Sequence, residues 1–248
     1  MANANHILNS LFTQHVFKEL IETGTNKVYQ AAIKEYAEDA STNLEAIQHI
    51  YFELAANHRN EYFFLNTLLN KWLLGVHSPN TATALTQLRI GASIADFVFI
   101  NGESVVYEIK SDLDNFDRLN SQIADYFKAF AKVCVVVSEP AFEKAQSHIK
   151  SLNVGIYSLT AQNRISQVKR REPLTDVSFL NHEILFSILN KNEFESILFN
   201  EFGHLPTTQP AFYYDACLKM FSELPMESAY TGSTKNSKRA FSAITSVR

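Results

Sequence analysis

The stretch IADFVFINGESVVYEIK, residues 94–110, decides how the rest of the chain is read. Two apolar runs with side chains alternating every second residue flank Asn101-Gly102, so they read as two strands of a hairpin. On the first, Ile94, Asp96, Val98 and Ile100 share a face, and Asp96 is its only charge. On the second, Val106, Glu108 and Lys110 share a face, with Glu108 and Lys110 about 6.6–7 Å apart along the strand. An ionised carboxylate in an apolar strand costs several kcal/mol unless a cation or hydrogen bonds compensate it.

Whether the two acids meet depends on the parity of the turn. A two-residue turn at Asn101-Gly102 pairs Asp96 with Tyr107 and leaves the carboxylates on opposite faces. A three-residue loop with Gly102 left-handed pairs Phe99 with Glu103 and Asp96 with Val106, bringing Asp96 and Glu108 to one face. The expectation is that loop, or a bulge of the same parity.

Outward from the hairpin, LTQLRIG precedes it as another strand. After it come a helix over 115–131, the strand KVCVVVSE, a helix over 140–151 and the strand VGIYSLT. Three closely spaced strands must form an antiparallel meander, whereas the later ones have room for helical crossovers. The fold class is therefore α/β with a mixed sheet. Residues 1–57 carry helical periodicity and form an N-terminal helical extension. EYFFLNTLLNKWLLG is an apolar helix ending at Gly75, residues 58–160 hold the core, and 161–228 are read as a C-terminal helical subdomain. A Ser-, Thr- and Lys-rich tail over 229–248 has too few large apolar side chains to order itself.

Composition narrows the class. The 248 residues are 46% hydrophobic with a net charge of −4, enough for a full core and no basic coat. Cys134 and Cys217 lie in apolar or helical contexts and read as buried thiols, which suits a reducing cytoplasm. No signal sequence or long apolar run is present, so no membrane association is expected. The eight histidines have no zinc-ligand spacing, and there is no nucleophile elbow or phosphate-cradling glycine loop.

What remains is the acid pair and its neighbours. The apolar stripe Phe116, Leu119, Ile123, Phe127 and Phe130 carries Gln122 and Tyr126 one turn apart on its edge. Two carboxylates and a backbone carbonyl suit a hard divalent cation, and a nearby ammonium suits a phosphate or its attacking water. Phosphodiester hydrolysis is the chemistry such a set serves. Asp96, Glu108 and the carbonyl of Ile109 would be the metal ligands and Lys110 the positioning cation.

This pattern resembles the PD-(D/E)XK nuclease superfamily over roughly residues 60–160. Asp96 and Glu108-Ile109-Lys110 match its acid and E-x-K. QIADY matches the Q-x-x-x-Y of its RecB-like branch through Gln122 and Tyr126. EIKSD, with Arg118 and the glutamine after it, also resembles a group of uncharacterised bacterial members. Ala95 stands where many members have proline. The resemblance implies a restriction-endonuclease-like core of helix, three-strand meander, helix and strand. It also implies Mg²⁺ or Mn²⁺ as cofactor, with Glu61 on the first core helix as a further acid. The expected activity is a metal-dependent nuclease acting on nucleic acid, DNA in the first instance. The alternative is a catalytically inactive nucleic-acid-binding or regulatory module on the same fold. Phosphate contacts are expected from Arg118, Lys169, Arg170 and Arg171, and a homo-oligomer is compatible with the sequence.

Overall fold

A computed structural model of the chain describes residues 2–70, 82–112 and 114–234. The chain divides into two compact units, Met1–Thr67 with Ser111–Leu113, and Leu68–Lys110 with Asp114–Arg248.

In the N-terminal unit, helices α1 (Ala2–Leu11), α2 (Gln14–Thr23), α3 (Lys27–Tyr36) and α4 (Asn43–Asn57) precede α5 (Glu61–Leu69). Their starts are written into the sequence. The side chains of Thr13, Asn26 and Thr42 each accept a backbone N–H of the following first turn, satisfying donors that the helix itself cannot. Asn60 does the same for Phe63 at the start of α5. Leu11, Tyr29, Ile50, Leu54 and Phe63 form the buried interior. The continuation of α5 to Gly75 and the loop after it fall outside the described residues.

The second unit is built on a six-stranded mixed sheet in sequential order: β1 (Thr83–Ile90), β2 (Ser93–Asn101), β3 (Glu103–Lys110), β4 (Lys132–Ser138), β5 (Gly155–Leu159) and β6 (Ile165–Arg171). The first three are antiparallel, β4 and β5 run parallel to β3, and β6 returns antiparallel. Helices α6 (Leu119–Tyr126) and α7 (Phe142–His148) supply the crossovers. Ile123 and Phe127 of the α6 segment pack with Val98, Val106, Val133 and Val135 of the sheet in one core. Helices α8 (His182–Ser187), α9 (Lys191–Phe202) and α10 (Tyr213–Ser222) join that core through Phe186, Phe194 and Phe221. Cys134 and Cys217 are buried free thiols. Among the described residues, no helix is long and apolar enough to cross a membrane.

Three features differ from the sequence reading. Residues 165–171, placed within the C-terminal helical subdomain by the sequence reading, form strand β6, whose backbone completes the sheet beside β5. Helix α6 spans Leu119–Tyr126 rather than 115–131, and Arg118 holds its cap position. The terminal segment is ordered as far as it is described. Ala229 is fully buried, and the Tyr230 hydroxyl meets Ser104 Oγ and the N–H of Ala131, each at 3.1 Å. Residues 235–248 lie outside the described residues.

Candidate functional site

The β2–β3 connection has odd parity. Ile100 pairs with Ser104 across Asn101-Gly102-Glu103, with Gly102 left-handed at φ +79. The loop therefore sits one residue later on each strand than a Phe99–Glu103 closure would put it. The even-numbered residues of both strands share a face, as Val98 and Val106 do by direct pairing. Asp96 and Glu108 are the next such pair along.

At that point the ladders change. Pairing of β2 with β3 runs only to Phe97–Tyr107, while β3 stays paired with β4 as far as Lys110–Val137. On the other side, β1 and β2 pair at Thr86–Phe97 and Leu88–Ala95, with Gln87 between them at φ +55. A non-glycine residue in that region costs about 1–2 kcal/mol. Asp96 thus sits where β2 parts from β3 and where its pairing with β1 skips one residue at Gln87. Its Oδ2 accepts the Ile109 N–H at 2.7 Å, a side-chain rung in place of a backbone one.

Glu108 is 2% exposed and surrounded by donors. Its Oε1 accepts from Lys110 Nζ at 2.7 Å and from Gln122 Nε2 at 2.6 Å, and its Oε2 accepts from the Tyr126 hydroxyl at 2.5 Å. Gln122 Oε1 in turn accepts from Lys110 Nζ at 3.1 Å. The amide therefore fits one orientation, its oxygen to the ammonium and its nitrogen to the carboxylate. Burial, foremost, and then the charge of Glu108 push the Tyr126 phenol well above its usual range, so it stays protonated as a donor. The Ile94 carbonyl lies 2.9 Å from the same hydroxyl.

The structure thus brings Glu108, Lys110, Gln122 and Tyr126 into one bonded cluster, with Asp96 tied to the backbone beside it. Glu108 and Lys110, about 6.6–7 Å apart by strand spacing alone, are in direct contact because the long lysine side chain reaches back along the strand. Glu61 lies in the first turn of α5, in the N-terminal unit.

The residues expected to touch phosphate are placed differently. Arg118 is exposed at the start of α6 and makes no side-chain cap. Lys169 reaches the Glu139 carbonyl at 3.4 Å, and Arg170 pairs with Glu172. Arg171 donates from Nε to the Val154 carbonyl at 2.8 Å and from Nη2 to that of Ser151 at 3.4 Å. Three of these four cations thus fasten the edge of the sheet.

A residue absent from the sequence reading is Asp125. Its carboxylate accepts from Ser93 Oγ and Lys128 Nζ, each at 2.7 Å, and from the Ala92 N–H. Asp125 thereby clamps α6 to the β1–β2 turn, next to both Gln122 and Tyr126. Gly91 in that turn has φ +60, and a Cβ there would stand 3.3 Å from Asp125 Oδ1. The signal was available as a third polar residue in QIADY beside a glycine turn, but only the fold brings the two together.

As a metal centre, the donors fit a hard divalent cation in kind: two carboxylates and the carbonyl of Ile109. Among the described residues no group of three or more His, Cys, Asp or Glu is gathered to hold a metal. A cation here would therefore rest on those two acids, and it would compete with Lys110 and Gln122 for Glu108 Oε1.

Comparison with known proteins gives the chain its relatives. Residues 54–240, which include all six strands and every member of the cluster, match the family described as Bacteriophage P4 protein cII. The chain belongs to that family. Protein cII of Enterobacteria phage P4 is 28% identical to this cII-family chain over 137 residues, 54% of the chain and 51% of the phage protein. The chain thus spans about half the length of the curated relative it matches. No solved structure matches this member of the cII family.

Proposed function

We propose that this protein is a divalent-metal-dependent nuclease that hydrolyses phosphodiester bonds, with DNA as its substrate. The observation that carries the reading is the buried Glu108 bonded to Lys110, Gln122 and Tyr126, beside Asp96 at the parting of β2 and β3. A buried ion pair is a poor way to gain stability, because removing two charges from water offsets most of their attraction. A charge cluster at the end of a sheet is better understood as chemistry. The order of helix, antiparallel meander, crossover helix and parallel strand also supports a restriction-endonuclease-like core of the PD-(D/E)XK kind.

In this reading Asp96, Glu108 and the Ile109 carbonyl hold Mg²⁺ or Mn²⁺. The ion would supply polarisation of the phosphate and a bound water of lowered pKa. Lys110, released from Glu108, faces the phosphate or the attacking water. Gln122 and Tyr126 keep the Glu108 carboxylate oriented, and exposed Arg118 contacts the nucleic-acid backbone.

A second reading is a non-catalytic nucleic-acid-binding module on the same fold. It is favoured by the full internal engagement of Glu108, whose two oxygens already take three donors. The deciding experiment is Mg²⁺- or Mn²⁺-dependent cleavage of single- and double-stranded DNA and RNA by the wild type, Glu108→Ala and Lys110→Ala. Cleavage lost in both variants supports the nuclease. Cleavage that survives both removes this site, and binding without cleavage of any substrate favours the module.

A further inference from the structure

Arg59 stands two residues before α5, and its guanidinium lies 5.4 Å and 5.2 Å from the ring centroids of Phe63 and Phe64. Its Nε and Nη2 are buried and have no hydrogen-bond partner. These two nitrogens form one edge of the planar group, the side-on fork that matches two oxygens of a phosphate or carboxylate. A buried donor without an acceptor costs about 1–3 kcal/mol, and more when it is charged. Burial lowers the basicity of Arg59, and the charge of Asp112 partly restores it. The first turn of α5, which begins two residues later, carries the positive end of the helix dipole, and Glu61 lies within it.

We propose that Arg59 anchors an oxyanion site in the N-terminal unit, taking a phosphate group through its Nε–Nη2 fork. Arg59 as a residue is only partly buried, but its Nε–Nη2 edge is not exposed, so solutes meet that edge only when the side chain rotates. Turning its inner edge toward them sacrifices no hydrogen bond, because that edge makes none. The two phenylalanine rings lie close to the guanidinium carbon, an apolar and π-rich setting that suits the flat, weakly hydrated arginine better than lysine. The phosphate belongs either to a nucleic-acid backbone or to a small phosphate compound, and both present the same tetrahedral oxyanion. The site does not depend on cleavage by the Glu108 cluster.

The test uses the full chain in EDTA, where metal-dependent cleavage cannot contribute. Inorganic phosphate is followed by phosphorus NMR line broadening, and a single-stranded oligonucleotide lacking terminal phosphates by fluorescence anisotropy. Saturable binding is expected for at least one probe, and the tighter one identifies the source. Arg59→Gln should weaken it about tenfold or more, the loss of a charge-assisted bidentate pair. Arg59→Lys keeps the charge and the ring contact and should still lose most of the affinity, with its circular dichroism unchanged. Asp112→Asn, which removes a competing anion, should tighten binding. Absence of saturable binding to both probes overturns the proposal, as does wild-type binding by Arg59→Gln and Arg59→Lys. Asp112→Asn that destabilises the fold without tightening binding also overturns it, because Asp112 is then the internal partner.

Discussion

The Tyr126 hydroxyl lies 2.5 Å from Glu108 Oε2 and 2.9 Å from the Ile94 carbonyl, although it has one proton to give. With its pKa raised by burial and by Glu108, the phenol keeps that proton and holds the carboxylate from the side opposite Lys110. Tyr126→Phe removes this donor from a buried anion without opening a cavity. It should cost about 1–3 kcal/mol in urea unfolding and, on the proposed nuclease reading, lower turnover more than substrate affinity.

Lys110→Met leaves the stem and deletes the ammonium. Breaking a buried ion pair costs about 3–5 kcal/mol where the stranded charge has no other support. Glu108 keeps Gln122 and Tyr126, so a loss near the lower end, about 3 kcal/mol, is expected. On the proposed metal site, the same variant should bind Mn²⁺ more tightly than the wild type by calorimetry, because a competitor for Glu108 Oε1 is gone, and should lose the proposed cleavage. Unchanged Mn²⁺ affinity would count against a shared cation at this carboxylate.

Asp125 gives a pH signature. Burial pushes its pKa up, but the Lys128 and Ser93 hydrogen bonds outweigh burial and hold it below the ordinary value of 3.8. A depressed folded pKa contributes stability that is present above the unfolded value and lost as pH falls through the folded one. Asp125→Asn should therefore lower the urea midpoint at pH 7, by about 1 kcal/mol in free energy. The variant and the wild type should converge as pH falls below the ordinary carboxylate value of 3.8 and through the depressed folded one. Curves that stay parallel to low pH would mean that the charge of Asp125 contributes nothing.

Gly155 begins β5 where a Cβ would stand 2.7 Å from Pro173 Cδ and 3.1 Å from the Arg171 carbonyl oxygen. Both obstacles are rigid, so Gly155→Ala must push β6 outward, at a cost of about 1–3 kcal/mol. Amide hydrogen exchange should quicken in β6 and stay unchanged at Asp96–Lys110. Uniform quickening would indicate that β6 is integral to the whole sheet and not a separable edge.

The hairpin and the α6 stripe were legible because alternation and helical periodicity are burial signals that sequence carries directly. Val98 and Val106, and Ile123 and Phe127, fall inward as their spacing requires. The parity of the turn was legible too, through the cost of a lone buried acid. Strand β6 was not. Its Lys169, Arg170 and Arg171 lack apolar alternation, and what makes it a strand is backbone pairing with β5 and carbonyls at Val154 and Ser151 that only the fold supplies. The Lys110–Glu108 contact was missed for a related reason. Strand geometry sets two alternate residues well apart at their backbones, but a long lysine side chain closes that gap.

The odd loop around Gly102 also carries a rule for how this protein can vary. Adding or deleting one residue there would turn every side chain of β3 over and send Glu108 and Lys110 to the face now held by Tyr107 and Ile109. A change of two residues, one on each strand, would keep both acids on one side. Natural members that retain the Asp96 and Glu108 counterparts are thus expected to lengthen or shorten this hairpin in even steps, with any single-residue change matched by a bulge.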